Sequence, residues 1–198
     1  MTRIARLSTL ALAGLLVAAP PLGTLLESTM TTHMLVQIPL LALCGWTLGT
    51  HVAARHRSWH LALAPFRWAA LVVATTTFGA WMIPRLLDLA VESAGADLAK
   101  VLSLSLLGGL PLQMAWSHLG PVARGLVHME ALASLWRLGW IYLDSPSRLC
   151  SQYGLMDQQR LGGLLLQIGA AYAIWLAWRA LAGSPRRVAD GTNFHPLI

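Results

Sequence analysis

Residues 30–51 read Met-Thr-Thr-His-Met-Leu-Val-Gln-Ile-Pro-Leu-Leu-Ala-Leu-Cys-Gly-Trp-Thr-Leu-Gly-Thr-His, with no Asp, Glu, Lys or Arg among them. A helix that crosses a bilayer needs about 20 mostly apolar residues, and this stretch meets that demand. It is not uniformly lipid-like. Met30, His33, Met34, Gln37, Cys44 and His51 recur at spacings that an ideal helix, drifting about 20° per seven residues, gathers into one stripe. Polar side chains in membrane helices are costly and face a bundle interior or a cavity. The stripe is therefore the seam of a helix bundle or the wall of a site. Gln and His can hydrogen-bond between helices, and Met and Cys fill irregular gaps. Thioether, imidazole and thiol are also the ligands that suit Cu(I). Pro39, inside the stretch, removes a backbone hydrogen bond and predicts a kink.

Composition extends the membrane reading to the whole chain. Of 198 residues, 56% are hydrophobic and 11% charged, with mean hydropathy +0.60; soluble domains carry about 25% charged residues. One all-α, polytopic membrane helix-bundle domain over residues 1–182 accounts for the length. A polar cytoplasmic tail, 183–198, follows. The net charge of +6 does not point to nucleic acid, because the arginines gather at helix ends, where membrane topology explains them. Two cysteines, Cys44 and Cys150, make no disulfide framework.

Six transmembrane helices are predicted. The first runs from Leu7 to Leu26 behind Arg3 and Arg6; its positive start and small residues near Ala18 also fit a cleaved signal peptide, which would leave five. The second is the stretch above. The third spans about Trp68 to Ala90, the fourth Lys100 to Leu119, the fifth Val122 to Leu143 and the sixth Gln158 to Leu181. The positive-inside bias places both ends in the cytoplasm: Arg55, Arg57, Arg67, Arg124, Arg179, Arg186 and Arg187 fall inside, while the outside keeps only Arg85, Lys100, Arg148 and Arg160 beside Glu27, Asp88, Glu92, Asp97, Asp144 and Asp157. Trp68, Trp116, Trp175 and Trp178 mark the inner interface, Trp81 and Trp140 the outer one. Membrane lipid is thus the first partner. Glu130 and Arg137, seven apart in the fifth helix, are expected to form a buried pair.

Two further motifs lie at the outer end. Trp81-Met-Ile-Pro84-Arg-Leu-Leu-Asp88-Leu-Ala closes the third helix, and its Pro can bend the exit. Tyr153-Gly-Leu-Met-Asp157-Gln158-Gln159-Arg160-Leu-Gly162-Gly163 opens the sixth. Asp157 suits the N-cap, and Gly162, Gly163 and Gly169 would let a neighbouring helix approach closely.

Taken in order, Thr32-His33-Met34-Leu-Val-Gln37, Trp81-x-x-Pro84-x-x-x-Asp88-x-Ala and Tyr153-x-x-x-Asp157-Gln158-Gln159-x-x-Gly162-Gly163 resemble the CtaG family, over about Met30 to Tyr172. The resemblance implies a multi-pass protein of the bacterial inner membrane. Such a protein assists copper insertion into, or assembly of, a caa-type haem–copper respiratory oxidase at the periplasmic side, as a metallochaperone or accessory protein. His33-Met34 matches the family's His-Met in this helix, and with the soft ligand Met30 on the same helical face a Cu(I) site is expected at Met30, His33 and Met34, with Met82 or Met156 near enough to join. The family's second histidine is Gln37 here.

Nothing in the chain matches H-E-x-x-H, G-x-S-x-G or a phosphate loop, so no enzyme is expected. The alternative from another class is a haem- or quinone-associated subunit of an electron-transfer complex. It requires two histidines on facing helices, for which His51, His118 and His128 are the candidates.

Overall fold

The computed structural model describes Gly23 and residues 25–182. The first apolar segment up to its last few residues, the arginines at 3, 6, 186 and 187, and the polar tail lie outside the described residues. Among the described residues the chain is helical, without strands. In chain order the helices are α1 (Met30–Arg55), α2 (Arg57–Ala62), α3 (Ala64–Trp81), α4 (Pro84–Glu92), α5 (Ala94–His118), α6 (Pro121–Asp144) and α7 (Leu155–Leu181). On length and composition α1, α5 and α7 are able to cross a membrane, and α3 with α4 makes a fourth crossing if the bent pair is one span.

Both long helices that carry an interior proline contain a wide turn just before it. In α1 the turn covers His33–Gln37, and the Ile38 N–H donates to the His33 carbonyl five residues back. In α5 it covers Leu104–Gly109, with the Leu110 N–H on the Ser105 carbonyl. Pro39 and Pro111 follow directly. A proline ring clashes with the carbonyl four residues earlier; a π-turn widens the ladder there and relieves the clash. The extra residue also shifts the buried face of α1. Met30, His33, Met34 and Gln37 are buried as the stripe predicts, but beyond the turn Leu41, Gly45 and Gly49 face inward while Cys44 and His51 are only half-buried.

The two π-turn helices cross through glycines. A Cβ on Gly45 would lie 1.9 Å from the Ser105 carbonyl oxygen, and one on Gly109 would lie 1.9 Å from that of Ala42. Backbones in contact give the dispersion packing that membrane bundles rely on. The hairpin of α6 and α7 repeats the device, with a Cβ on Gly162 placed 2.8 Å from the Gly139 carbonyl and Gly169 lying against the Trp136 ring. Gly163 does not follow: a Cβ there meets nothing within 4 Å, so the expected contact is absent because this glycine points the other way.

The single helix expected over Trp68–Ala90 is broken. Met82 and Ile83 separate α3 from α4, and the axis turns by 72°. Ile83 is extended, as a residue before proline must tend to be. The turn lays α4 across one end of the bundle, burying Leu87 and Ala90. The core runs beneath it through Met30, Met34, Leu104, Tyr142, Tyr153 and Leu161.

Candidate functional site

The end covered by α4 holds a buried ionic cluster. Lys100, in the second turn of α5, is fully buried. Its ammonium lies 2.5 Å from Glu27 Oε1 and 2.8 Å from Asp97 Oδ1, 3.1 Å from Gln37 Oε1 and 3.3 Å from His33 Nε2. Three protons face four acceptors, and Asp97 Oδ1 is the one left without an aligned hydrogen bond. The sequence reading starts the fourth helix at Lys100, which puts this lysine at the outer helix end. Here α5 starts six residues earlier, at Ala94, so Lys100 lies within the helix, on the face turned toward α1.

The same contacts settle the state of His33. An ammonium only donates, so Nε2 accepts and the ring proton sits on Nδ1. That proton points to Tyr153 Oη at 2.8 Å, and the phenol in turn donates to the Glu27 carbonyl at 3.1 Å. The ring planes meet edge-on. Gln37 closes the network, its Nε2 donating to Glu27 Oε1 at 3.2 Å. The π-turn lies under both side chains, as π-turns frequently do at sites.

The loop 145–154 completes the enclosure. Asp88 Oδ2 accepts from the Ser151 amide at 2.8 Å and its hydroxyl at 2.9 Å, and Gln152 reaches Glu92. Gln158, buried, accepts from the Leu149 amide at 2.8 Å and donates to the Tyr142 and Ser147 carbonyls. Asp88 and Gln158 thus hold Tyr153 over His33. Trp81, expected at the interface, is instead buried where α3 ends and donates from Nε1 to Ser103 Oγ of α5 at 2.7 Å. Burial, then Glu27, Cys150 and Asp88, push the Tyr153 phenol up. Burial and the neighbouring Asp88 push the Cys150 thiol from 9.0 up to about 12. Both stay protonated at neutral pH.

Met30, His33 and Met34 are all buried here. They do not offer copper a ready seat, since Lys100 and Tyr153 hold both nitrogens of His33. Met156 is 65% exposed and turned away, whereas Met82 packs on the core edge. Among the described residues no three His, Cys, Asp or Glu side chains are grouped to hold a metal ion. Asp157 is not the N-cap of α7; Gly154 is, and Asp157 stands in the first turn, still favoured by the helix dipole. With Thr29, Arg160, Gly163 and Gln167 it lines an open groove of about 550 Å³ beside the cluster.

At the opposite end the three haem candidates go separate ways. The His118 ring lies 4.5 Å from that of His60, and burial and His118 hold His60 below 6.5. His128 hydrogen-bonds Tyr172 and meets Trp116 edge-on, and His51 sits half-buried on α1. Glu130 and Arg137 do pair, but on an exposed face of α6, at 63% and 62% exposure. In the sequence Lys100 and Glu27 count only as charges that set the topology, and Tyr153 only as the first residue of the motif that opens α7; none of the three is a candidate site residue there. A lone lysine beside an apolar run was the available signal.

No family model, no characterised relative and no solved structure matches the chain.

Proposed function

We propose that the chain is a CtaG-like multi-pass protein of the bacterial inner membrane. It serves as an assembly or accessory protein for a respiratory haem–copper oxidase, with the cluster around His33 and Lys100 as its working site. One observation carries the reading: the three stretches behind the resemblance meet at one end of the bundle. His33 is joined to Tyr153 across 120 residues, Trp81 to Ser103, and Asp88 and Gln158 to one loop. The arginine bias turns this end to the periplasm, the side where oxidase copper is inserted. The six-span, both-ends-inside topology belongs to the same proposal. Lys100 gives the cluster a resident cation of its own at His33 Nε2 and Gln37 Oε1, and the role proposed is that of a scaffold.

A second reading, weak Cu(I) binding at Met30, His33 and Met34, is favoured by their joint burial. It requires Lys100 to leave His33 Nε2.

The test removes the chain from its host and measures oxidase activity and copper content of the membranes. Loss of assembled oxidase, restored by the parent and not by His33→Ala with Tyr153→Phe, supports the assembly role; unchanged oxidase overturns it. Cu(I) competition in detergent separates the second reading. Equal binding by the parent and by His33→Ala with Met34→Leu removes it.

A further inference from the structure

α6 is too polar to count as a span by composition, yet it packs antiparallel along α7, which is able to cross. Gly139 meets Gly162, Trp136 meets Gly169, and His128 meets Tyr172, in reverse order along the two helices. Whatever depth α7 occupies, α6 shares. At 1.5 Å per residue, Glu130 lies about 13 Å from the Pro121 end and Arg137 about 10 Å from the Asp144 end. Both are inside a hydrocarbon layer about 30 Å thick.

Among the described residues no other helix covers the face that carries them. Val122, Leu126, Met129, Trp140 and Ile141 are exposed around the pair. Arg137 uses only Nη2, toward Glu130 and Ser134; among the described residues Nε and Nη1 have no acceptor. Unsatisfied guanidinium protons facing acyl chains are costly, and lipid tails supply no acceptor.

We infer that this face of α6 docks a spanning helix of another membrane protein, one that presents a carboxylate or carboxamide opposite Arg137 and a hydrogen-bond donor opposite Glu130. Charge selects that occupant. A second copy related by a two-fold axis along the membrane normal would set Glu130 level with Glu130 and Arg137 level with Arg137. The apolar residues 7–22 of this chain carry no charge to answer either group. The inference rests on packing and charge and does not depend on which complex is served.

The experiment places a photo-crosslinking residue at Ala133, exposed between the two charges, in the full chain in its native membranes. The expected result is one discrete adduct. Its cross-linked peptide is a spanning segment with an acidic or amide side chain. Its yield falls at least tenfold in Glu130→Arg with Arg137→Glu, a swap that keeps the internal pair and reverses its polarity. If the swap fails to fold, Glu130→Gln with Arg137→Gln takes its place. An adduct with lipid only, an adduct of twice the chain's mass, or a yield indifferent to both variants overturns the proposal.

Discussion

Lys100 Nζ stands 2.5 Å from Glu27 Oε1 with the lysine side chain wholly out of solvent. Glu27 precedes α1 and Lys100 belongs to α5, so this pair ties the start of the described chain to a helix 73 residues later. Removing one partner of a buried ion pair costs about 3–5 kcal/mol, because the other is left uncompensated. Lys100→Met should therefore lower the melting temperature in detergent sharply. Lys100→Met with Glu27→Gln should cost less than the two single changes added. A melting curve for Lys100→Met that overlies the parent's would show that the cluster contributes nothing to stability.

Gly162 and Gly163 are adjacent but face opposite ways. Leu at 162 must push α6 off α7, since even a Cβ lies 2.8 Å from backbone; overpacking of this kind costs about 1–3 kcal/mol or more. Leu at 163 projects into the open groove. Yields of folded protein after membrane extraction should fall for Gly162→Leu and hold for Gly163→Leu. The reverse order would place the α6–α7 interface on the wrong face.

Asp88 pins the 145–154 loop by accepting three hydrogen bonds from Ser151 and Gln152. Bonds to a charged acceptor contribute about 1.5–3 kcal/mol each at most, and exposed ones less. Asp88→Ala should make the chain near Ser151 the first site of limited proteolysis, with the helices intact. A cleavage pattern identical to the parent's would mean that Gln158 alone holds the loop.

Cys150 carries the pH dependence. Its thiol is pushed from 9.0 up to about 12 by burial and by Asp88. Between those values the unfolded chain has released a proton that the folded one keeps. The unfolded state then binds fewer protons, so stability falls as pH rises through this range. Unfolding midpoints from pH 8 to 10.5 should decline more steeply for the parent than for Cys150→Ala. Alkylation of Cys150 at pH 8 should be slow until the protein unfolds, since the thiolate is the nucleophile. Rapid modification of the folded protein would refute the enclosed placement of the thiol.

What the sequence by itself determined is the material of the bundle. Runs of apolar residues near bilayer length decide helix rather than strand, because a lone helix satisfies its own backbone in lipid. The spacing of Met30, His33, Met34 and Gln37 likewise decides which face turns inward, since helical period is a local property. Pro39 and Pro84 announce their disturbances in the same local way. The tertiary structure decided the rest. Whether Lys100 stays at a helix end or enters the core depends on where α5 begins and which helix it meets. Whether Trp81 anchors at an interface or bonds Ser103 depends on which part of α5 packs against the end of α3. Gly162 and Gly163 are indistinguishable in sequence, and one residue of helix rotation separates a crossing from an open groove. The partner of His33 lies 120 residues away. No spacing rule reaches that far, because the contact is made by the packing of α4 and its loop over the bundle end, not by any property of the segment that carries the histidine.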